Sequence, residues 1–561
     1  MQSKIAILTA LLISTVSLCS QTITVDASKV IKTFDHNPAA INLDYLMDDD
    51  SYLHPSISCS QSLKNMNIGQ IRYPGGEKSD NYLWSVAPYT KANPRFATPG
   101  TCNWPNNDSR FSSDQVSPKS TTMDFDEMME IAASTGAKPL IVVAADAHYN
   151  TKCTNPPTLN DLITNAVEWV RYANVVKKYN IKYWMIGNES WNAAAYDPKV
   201  STPTQYANDF VAFAKAMKAI DPTITVVANS KSGSWVNTLL KVADGYVDAI
   251  AISNYPIWNW STGYETFRSG NPNFVTEINS VISSIGTKNI KVIVSEYNTI
   301  DWNKAWSNTN DLGHALVNFQ MFGDQIMIPQ VQDAYLWNTR WIDNETKPQD
   351  INDAVDASGN LNATGLALSM WGNNLLDKMV TANNSGYINT FASIDNSGDK
   401  MNLLLLNKDL VSHNVTVNIS NFNSIYSIYH SKLTGTSSSD THPKITNPKN
   451  AAAFNSNSIT VNLDPLSVNS LSINILPLSS STATKPSEGF IAYPNPVSNT
   501  LNIDFVETTD KNTEYQIYDV AGSLIAEGLL YNQSNQIQFQ NFSCGVYFIS
   551  VGGYNKIIVK K

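Results

Sequence analysis

At 561 residues the chain exceeds what one hydrophobic core organises and has room for roughly two to four domains. Its net charge of −10, with no basic block, disfavours nucleic acid and anionic membranes as partners by simple repulsion. Aromatic residues make up 10% of the chain, including 13 Trp and 25 Tyr, which suits either large apolar cores or surfaces that stack on sugar rings.

Lys4 precedes an apolar run over 5–18 that is too short to span a bilayer and reads as the core of a signal peptide. Cleavage after Ser20 leaves Gln21 as the new end, with no membrane insertion expected once residues 1–20 are gone. Cys19 does not make a lipoprotein signal, because Leu18 stands where a small residue is wanted. Four other cysteines remain, Cys59, Cys102, Cys153 and Cys544; Cys102 and Cys153 sit in Pro/Asn-rich loops and are candidates to pair in an oxidising compartment, although spacing does not show geometry. No Cys/His cluster has metal-site spacing, so neither metal nor cofactor is expected.

Residues 22–25 alternate apolar and polar like a strand. From 34 to about 372, apolar runs then alternate with segments of helical period. The predicted strands are 40–43, 69–72, 139–144, 182–186, 224–228, 247–253, 291–295 and 333–337. Helical periodicity covers 159–176, 206–219, 234–242, 274–285, 312–322 and 365–376. Eight β/α units of this total length predict an α/β fold, a (β/α)₈ TIM barrel over 21–377. In that fold, function gathers at the C-terminal ends of the strands.

Helical periodicity stops near 378. Short alternating strands with Asn/Ser/Gly turns predict an all-β sandwich over 378–477, and the strand at 22–25 has no obvious partner except this module. Residues 478–488 read as a small-polar linker. The last segment, 489–561, reads as a small C-terminal β-sandwich with a basic end. It carries Tyr493-Pro-Asn-Pro496, Tyr515-Gln-Ile-Tyr-Asp-Val-Ala-Gly522 and Gly545-Val-Tyr-Phe-Ile-Ser550. In that order these motifs closely resemble the type A C-terminal sorting domain of the type IX secretion system. The resemblance implies a Bacteroidetes-type source, the type IX machinery as partner, export through the outer membrane and removal of the segment at the cell surface.

Two stretches carry the chemistry. Lys182-Tyr-Trp-Met-Ile-Gly-Asn188-Glu189 is a buried-type run that ends in glutamate, and Ile290-Lys-Val-Ile-Val-Ser295-Glu296-Tyr297-Asn298 has the same grammar. By the strand count Glu189 ends the fourth strand and Glu296 the seventh, on opposite sides of the barrel mouth. A single strand-ending glutamate reads as a solvated loop residue. Two on these strands supply the acid and the carboxylate that glycosidic hydrolysis needs, provided their environments hold one protonated.

The Gly-Asn-Glu and Ser-Glu-Tyr-Asn stretches resemble clan A of the retaining glycoside hydrolases, whose members are built on this barrel. The resemblance implies Glu189 as general acid/base, Glu296 as nucleophile and Asn188 as a hydrogen-bond partner of the sugar 2-OH. Ile71-Arg72-Tyr73-Pro74-Gly75-Gly76 resembles the motif of family 51 α-L-arabinofuranosidases and of families 39, 44 and 79. There Arg72 either orients the nucleophile by a charge-assisted bond or is a structural ion pair, and the glycines let the backbone approach substrate. Trp337, at the end of the eighth strand, matches the tryptophan that floors the subsite in this clan; core packing is the other reading. Tyr255 matches a tyrosine that bonds the nucleophile, but Asn254 replaces the histidine common before it. His148, after the third strand, is read either as filling that polar role or as a surface-loop residue. Ser190-Trp191-Asn192 departs from family 51, which weakens the arabinose-specific reading.

Asp48-Asp49-Asp50 reads as a solvated acidic loop, because no regular calcium-liganding sequence follows. Trp191, Trp258, Trp260, Trp302, Trp306 and Trp341 fall in loops after strands, where they either stack on a sugar chain or pack among themselves. The expected function is a secreted or cell-surface retaining hydrolase of plant or algal polysaccharide or oligosaccharide, most like an α-L-arabinofuranosidase. Two alternatives stay open: an endo-β-glycanase of the same clan, and a non-catalytic surface glycan-binding protein.

Overall fold

The computed structural model describes residues 21–98, 108–150, 153–192, 202–448, 452–475, 490–505, 513–520, 523–531, 534–552 and 554–561. The expected signal peptide (1–20) and linker (478–488) lie outside these residues, as does Cys102. Cys153 is disulfide-bonded, and Cys59 and Cys544 are free.

Eight parallel strands close into a barrel: β1 (Ala39–Asn42), β2 (Gln70–Tyr73), β3 (Lys138–Val143), β4 (Tyr183–Ile186), β5 (Thr225–Ser230), β6 (Ala249–Asn254), β7 (Lys291–Tyr297) and β8 (Val331–Leu336). The continuous apolar runs follow from burial on both faces. Leu140 and Val142 point into the barrel interior with Ala40, Met185, Val227, Ala251, Ile293 and Tyr335. Their neighbours Ile141 and Val143 face the helix layer. Each predicted barrel strand is found within two residues at either end.

Four α-helices among the described residues escaped the periodicity reading: Asp50–Leu53, Cys59–Met66, Phe125–Thr135 and Tyr264–Arg268. Cys59–Met66 and Phe125–Thr135 are fixed by their starts: the Ser58 hydroxyl accepts from Gln61 N–H, and Asp124 and Glu127 form a reciprocal capping box. The predicted helix 159–176 is Leu159–Val170 followed by a π-helical segment, Arg171–Val176.

The β-module is one ten-stranded sheet whose halves enclose a single core of Val380, Leu403, Leu405, Val417, Val461 and Leu471. The first strand of the chain, Gln21–Thr33, joins the halves. It pairs parallel with His413–Ser420 through Gln21 to Asp26, and antiparallel with Lys378–Ala382 through Val25 to Thr33. Phe391 from this sheet packs on Phe319 and Trp371 of the barrel helices, with ring centroids 6.1 and 5.0 Å away. Residues 477–561 form a separate compact unit, a three-stranded and a four-stranded sheet around Phe490, Leu501, Ile503, Ile517, Phe539 and Ile549.

The acidic triplet is not a solvated loop. Asp48 is fully buried and accepts from Arg340 Nη1 at 2.8 Å; Asp49 caps a helical turn through Ser51 N–H, and Asp50 accepts from Cys59 N–H. A cation 292 residues away satisfies Asp48, which local sequence cannot show.

Candidate active site

β4 ends in a tight turn. Gly187 and Glu189 both have positive φ, +68° and +44°. Glycine adopts this freely, whereas a glutamate there stores strain of about 1 kcal/mol or more. Surrounding bonds hold the turn. Asp80 accepts from Asn188 N–H at 2.9 Å, Asn229 accepts from Ser190 N–H at 3.0 Å, and the Ser190 hydroxyl donates to Asp146 at 2.6 Å. A Cβ on Gly187 would meet Asp146 Oδ2 and Ser190 Oγ at 2.8 Å each, so only glycine fits. Glu189 is thereby presented at the mouth, where Asn192 Nδ2 donates to Oε2 at 3.2 Å and Ser253 of β6 adds a hydrogen bond.

Glu296 near the end of β7 is 5% exposed. Arg72 from β2 donates through Nη1 to Glu296 Oε1 at 2.9 Å, and the Tyr255 hydroxyl donates to Oε2 at 3.0 Å. The same guanidinium donates from Nη1 to Asn42 Oδ1 at 2.7 Å and from Nη2 to Asn188 Oδ1 at 2.5 Å. Asn42 Nδ2 in turn donates to the Ser295 and Leu336 carbonyls, at 3.0 and 3.1 Å. One arginine therefore links β1, β2, the β4 turn and β7. Because Arg72 occupies Asn188 Oδ1, the amide Nδ2 is the group left to donate elsewhere.

Burial lifts both glutamates above the ordinary carboxyl range, Glu296 to about 7. For Glu296, Arg72 and the Tyr255 hydrogen bond oppose burial, while the charge on Glu189 adds to it. The two carboxyls are thus coupled. When Glu189 holds a proton the repulsion vanishes, and the guanidinium and phenol favour Glu296 as the carboxylate.

Trp337, directly after β8, is 7% exposed and lies against Gly76. A Cβ at Gly76 would meet Trp337 Cη2 at 2.4 Å and Glu296 Oε1 at 2.8 Å, so glycine lets the backbone pass beside both. Asn298 Nδ2 donates to the carbonyls of Trp337 and Ile351, which fixes the strand end. Trp191 has Lys231 Nζ over its ring at 5.2 Å. His148 stands apart from both glutamates in its bonding: Nδ1 meets the Ala145 carbonyl at 2.8 Å and Nε2 lies 3.3 Å from Asp209. Asn254 turns to the Phe274 carbonyl, at 2.8 Å.

Sequence reading missed Asn42, Asp80, Asp146, Ser253 and Glu77. Asp80 and Asp146 are both buried behind the β4 turn. Burial and then the charge of Asp146 push Asp80 well above its usual value, and burial pushes Asp146 to about 6. Glu77, directly after the paired glycines, puts a third carboxyl within electrostatic reach of Glu189; burial, then that charge, raises it. Polar residues at the ends of apolar runs were the one available signal.

Residues 62–255 match the Alpha-L-arabinofuranosidase 1 domain. The match spans Arg72, Asn188, Glu189 and Tyr255, and stops before Glu296. Residues 491–561 match the Secretion system C-terminal sorting domain, which marks the chain for export to the cell surface or extracellular space. No helix among the described residues is long and apolar enough to cross a membrane.

The arabinofuranosidase-like part is similar to Alpha-L-arabinofuranosidase C of Emericella nidulans, at 28% identity over 202 residues, 32% of this chain and 34% of that protein. An intracellular exo-α-(1→5)-L-arabinofuranosidase of Acetivibrio thermocellus is 27% identical over 218 residues, 37% of this chain and 40% of that protein. The chain spans about a third of the length of the Emericella relative and its like. Among solved structures, the α-L-arabinofuranosidase of Thermotoga maritima in its arabinose complex shares the fold at TM-score 0.60 and 17% identity, over 81% of this chain and all of that one. A family 44 xyloglucanase of Paenibacillus polymyxa does so at 0.54 and 13%, over 81% of this chain and 99% of that one.

Proposed function

We propose that the barrel is a retaining glycoside hydrolase of the α-L-arabinofuranosidase type, with Glu296 as nucleophile and Glu189 as general acid/base. The observation that carries this reading is the Arg72 bridge, which ties the Glu296 carboxylate to Asn188, the residue before Glu189. In the first step Glu296 attacks the anomeric carbon while Glu189 protonates the departing oxygen, leaving a glycosyl ester on Glu296. In the second, Glu189 takes a proton from water, which displaces the ester and frees the sugar with its anomeric configuration retained. Arg72 and Tyr255 hold the carboxylate oriented and charged, Asn188 Nδ2 is offered to the sugar 2-OH, and Trp337 forms the floor of the subsite. Glycan is the partner, and the sorting tail delivers the enzyme to it outside the cell.

Full chain and Glu296→Gln should be assayed on aryl α-L-arabinofuranoside beside aryl β-glycosides. Turnover of the arabinofuranoside that falls at least about a thousandfold in the variant is expected. Equal turnover by both would remove Glu296 from the chemistry.

A second reading, an endo-β-glycanase on xylan, glucan or galactan, is favoured by the exposure of Trp258 and Trp302 beside the mouth. The xyloglucanase named above has the same fold. Oligosaccharides from one polymer, with no aryl-arabinofuranoside turnover, would select it.

A further inference from the structure

The paired glycines after β2 lead into a 3₁₀ turn, Glu77–Asn81, in which Lys78, Ser79, Asp80 and Asn81 are all buried. Such a turn repeats every three residues, so positions 78 and 81 share one face and 77 and 80 another. Lys78 and Asn81 turn into the protein. Lys78 Nζ lies 2.7 Å from Asp44 Oδ2 and 3.5 Å from the centre of the Trp341 ring, and Asn81 accepts from Thr98 N–H at 2.6 Å. Asp80 accepts from Asn188 N–H at 2.9 Å, so its face looks onto the β4 turn. Glu77 stands one turn earlier on that face and is directed at the same loop. Burial, then the charge of Glu189, raises its carboxyl, which puts the two within electrostatic reach. Its backbone follows that of Gly76, which passes against Trp337 and Glu296. Glu77 thus starts beside the nucleophile and reaches toward the acid/base.

This carboxyl is half-buried, and among the described residues no hydrogen-bond donor meets it. The cation beside it, Lys78, is engaged by Asp44. By contrast Glu189 has Asn192 and Ser253, and Glu296 has Arg72 and Tyr255. A carboxyl without donors, set near a second carboxyl, costs the fold and gains nothing within the chain. Its acceptor oxygens are left for donors that a ligand brings.

We infer that Glu77 is a specificity residue whose carboxyl accepts hydrogen bonds from hydroxyls of the sugar that Glu296 attacks, other than the 2-OH that falls to Asn188. This rests on the hydrolase reading and deepens it. Sugar hydroxyls are neutral donors, and one carboxylate can take two of them. Three carboxyls around one sugar repel a uronic acid, so the site selects a neutral glycosyl group by hydroxyls remote from the bond that breaks.

The test titrates an aryl α-L-arabinofuranoside and its 3-deoxy and 5-deoxy analogues into the full chain carrying Glu296→Gln, with and without Glu77→Ala, so that binding is read without turnover. Glu77→Ala should weaken the parent about tenfold or more and leave at least one deoxy analogue unchanged, because the hydroxyl that Glu77 holds is missing there. Glu77→Gln keeps an acceptor oxygen and should recover part of the loss. With Glu296 intact, kcat/KM of Glu77→Ala should show the same pattern across substrates, a ratio that does not depend on how much protein folds. Equal loss on all three compounds, with Glu77→Gln no better than Glu77→Ala, would mean that Glu77 acts only by its charge and would overturn the inference. So would undiminished binding of the parent, or no binding of it by any form. Failure of the hydrolase reading shows separately, as unchanged turnover in Glu296→Gln, while the binding differences still report on Glu77.

Discussion

Arg72 Nη1 lies 2.9 Å from Glu296 Oε1, although 224 residues separate them and neither side chain is open to water. The pair makes the barrel closure itself part of the site: β2 supplies the cation, β7 the carboxylate, and Asn188 shares the guanidinium from β4. Arg72→Ala would leave a buried carboxyl without its cation, a loss of about 3 kcal/mol or more. kcat/KM on an aryl glycoside should fall at least about a hundredfold. Arg72→Lys should recover little, because one ammonium cannot span Asn42, Asn188 and Glu296 as the planar fork does.

Tyr255→Phe removes a donor to Glu296 Oε2. The carboxyl is already raised to about 7 by burial, and losing a hydrogen bond to its charged form raises it further. Activity on the proposed mechanism needs this group ionised, so the acidic limb of the kcat/KM profile should move to higher pH, by up to about one unit. A pH–rate series on wild type and variant checks the direction.

Gly76→Ala tests how closely the backbone approaches the site. Its Cβ would press on Trp337 and Glu296 at once. Overpacking of this kind costs about 1–3 kcal/mol of stability. The loss in kcat should exceed what the melting temperature accounts for, since the two displaced groups are the proposed subsite floor and nucleophile.

Asp146→Asn should flatten part of the stability–pH curve. The folded carboxyl sits at about 6, against a usual value of 3.8, because burial disfavours its charge. Between these values the folded state holds a proton that the unfolded chain has lost, so wild-type stability falls as pH rises from about 4 through about 6. The asparagine variant lacks the part of this slope that Asp146 supplies, and its stability relative to wild type should rise as pH passes up through the window; losing the Asp146 charge also lowers Asp80, so the size of the change belongs to the pair. Denaturant titrations at pH 4 and pH 8 measure the change.

Deleting residues 477–561 should leave hydrolysis by the remainder within about twofold of the full chain, because the two units have separate cores. Export to the cell surface should be lost, as the sorting domain lies in the deleted part. Activity measured on purified protein and on intact cells separates the two effects.

The barrel was legible because its strands are buried on both faces and therefore appear as unbroken apolar runs, as with Ile141 to Val143. Glu189 and Glu296 were legible because a charge ending such a run has to face the mouth. Asp80 was not: it lies in a polar segment after the paired glycines and meets the β4 turn only when the barrel closes. Asp146 does end an apolar run, over 139–145, but its partner Ser190 is 44 residues away in sequence. Asp48 looked solvated for the same reason, since its partner Arg340 is distant in sequence. Trp258 and Trp260 are two residues apart in one loop, yet 63% and 1% exposed, a difference set by what packs on the loop rather than by its composition. His148 was placed by strand count alone, and Asp209 on a neighbouring helix takes its Nε2.

The most direct test of the account is peptide mass spectrometry after incubation with an activated 2-deoxy-2-fluoro-α-L-arabinofuranoside, which slows breakdown of a glycosyl ester. The account expects a single fluoro-arabinosyl adduct on the peptide that contains Glu296, absent from Glu296→Gln. An adduct on another residue, or steady hydrolysis of the parent aryl arabinofuranoside by Glu296→Gln, would contradict it.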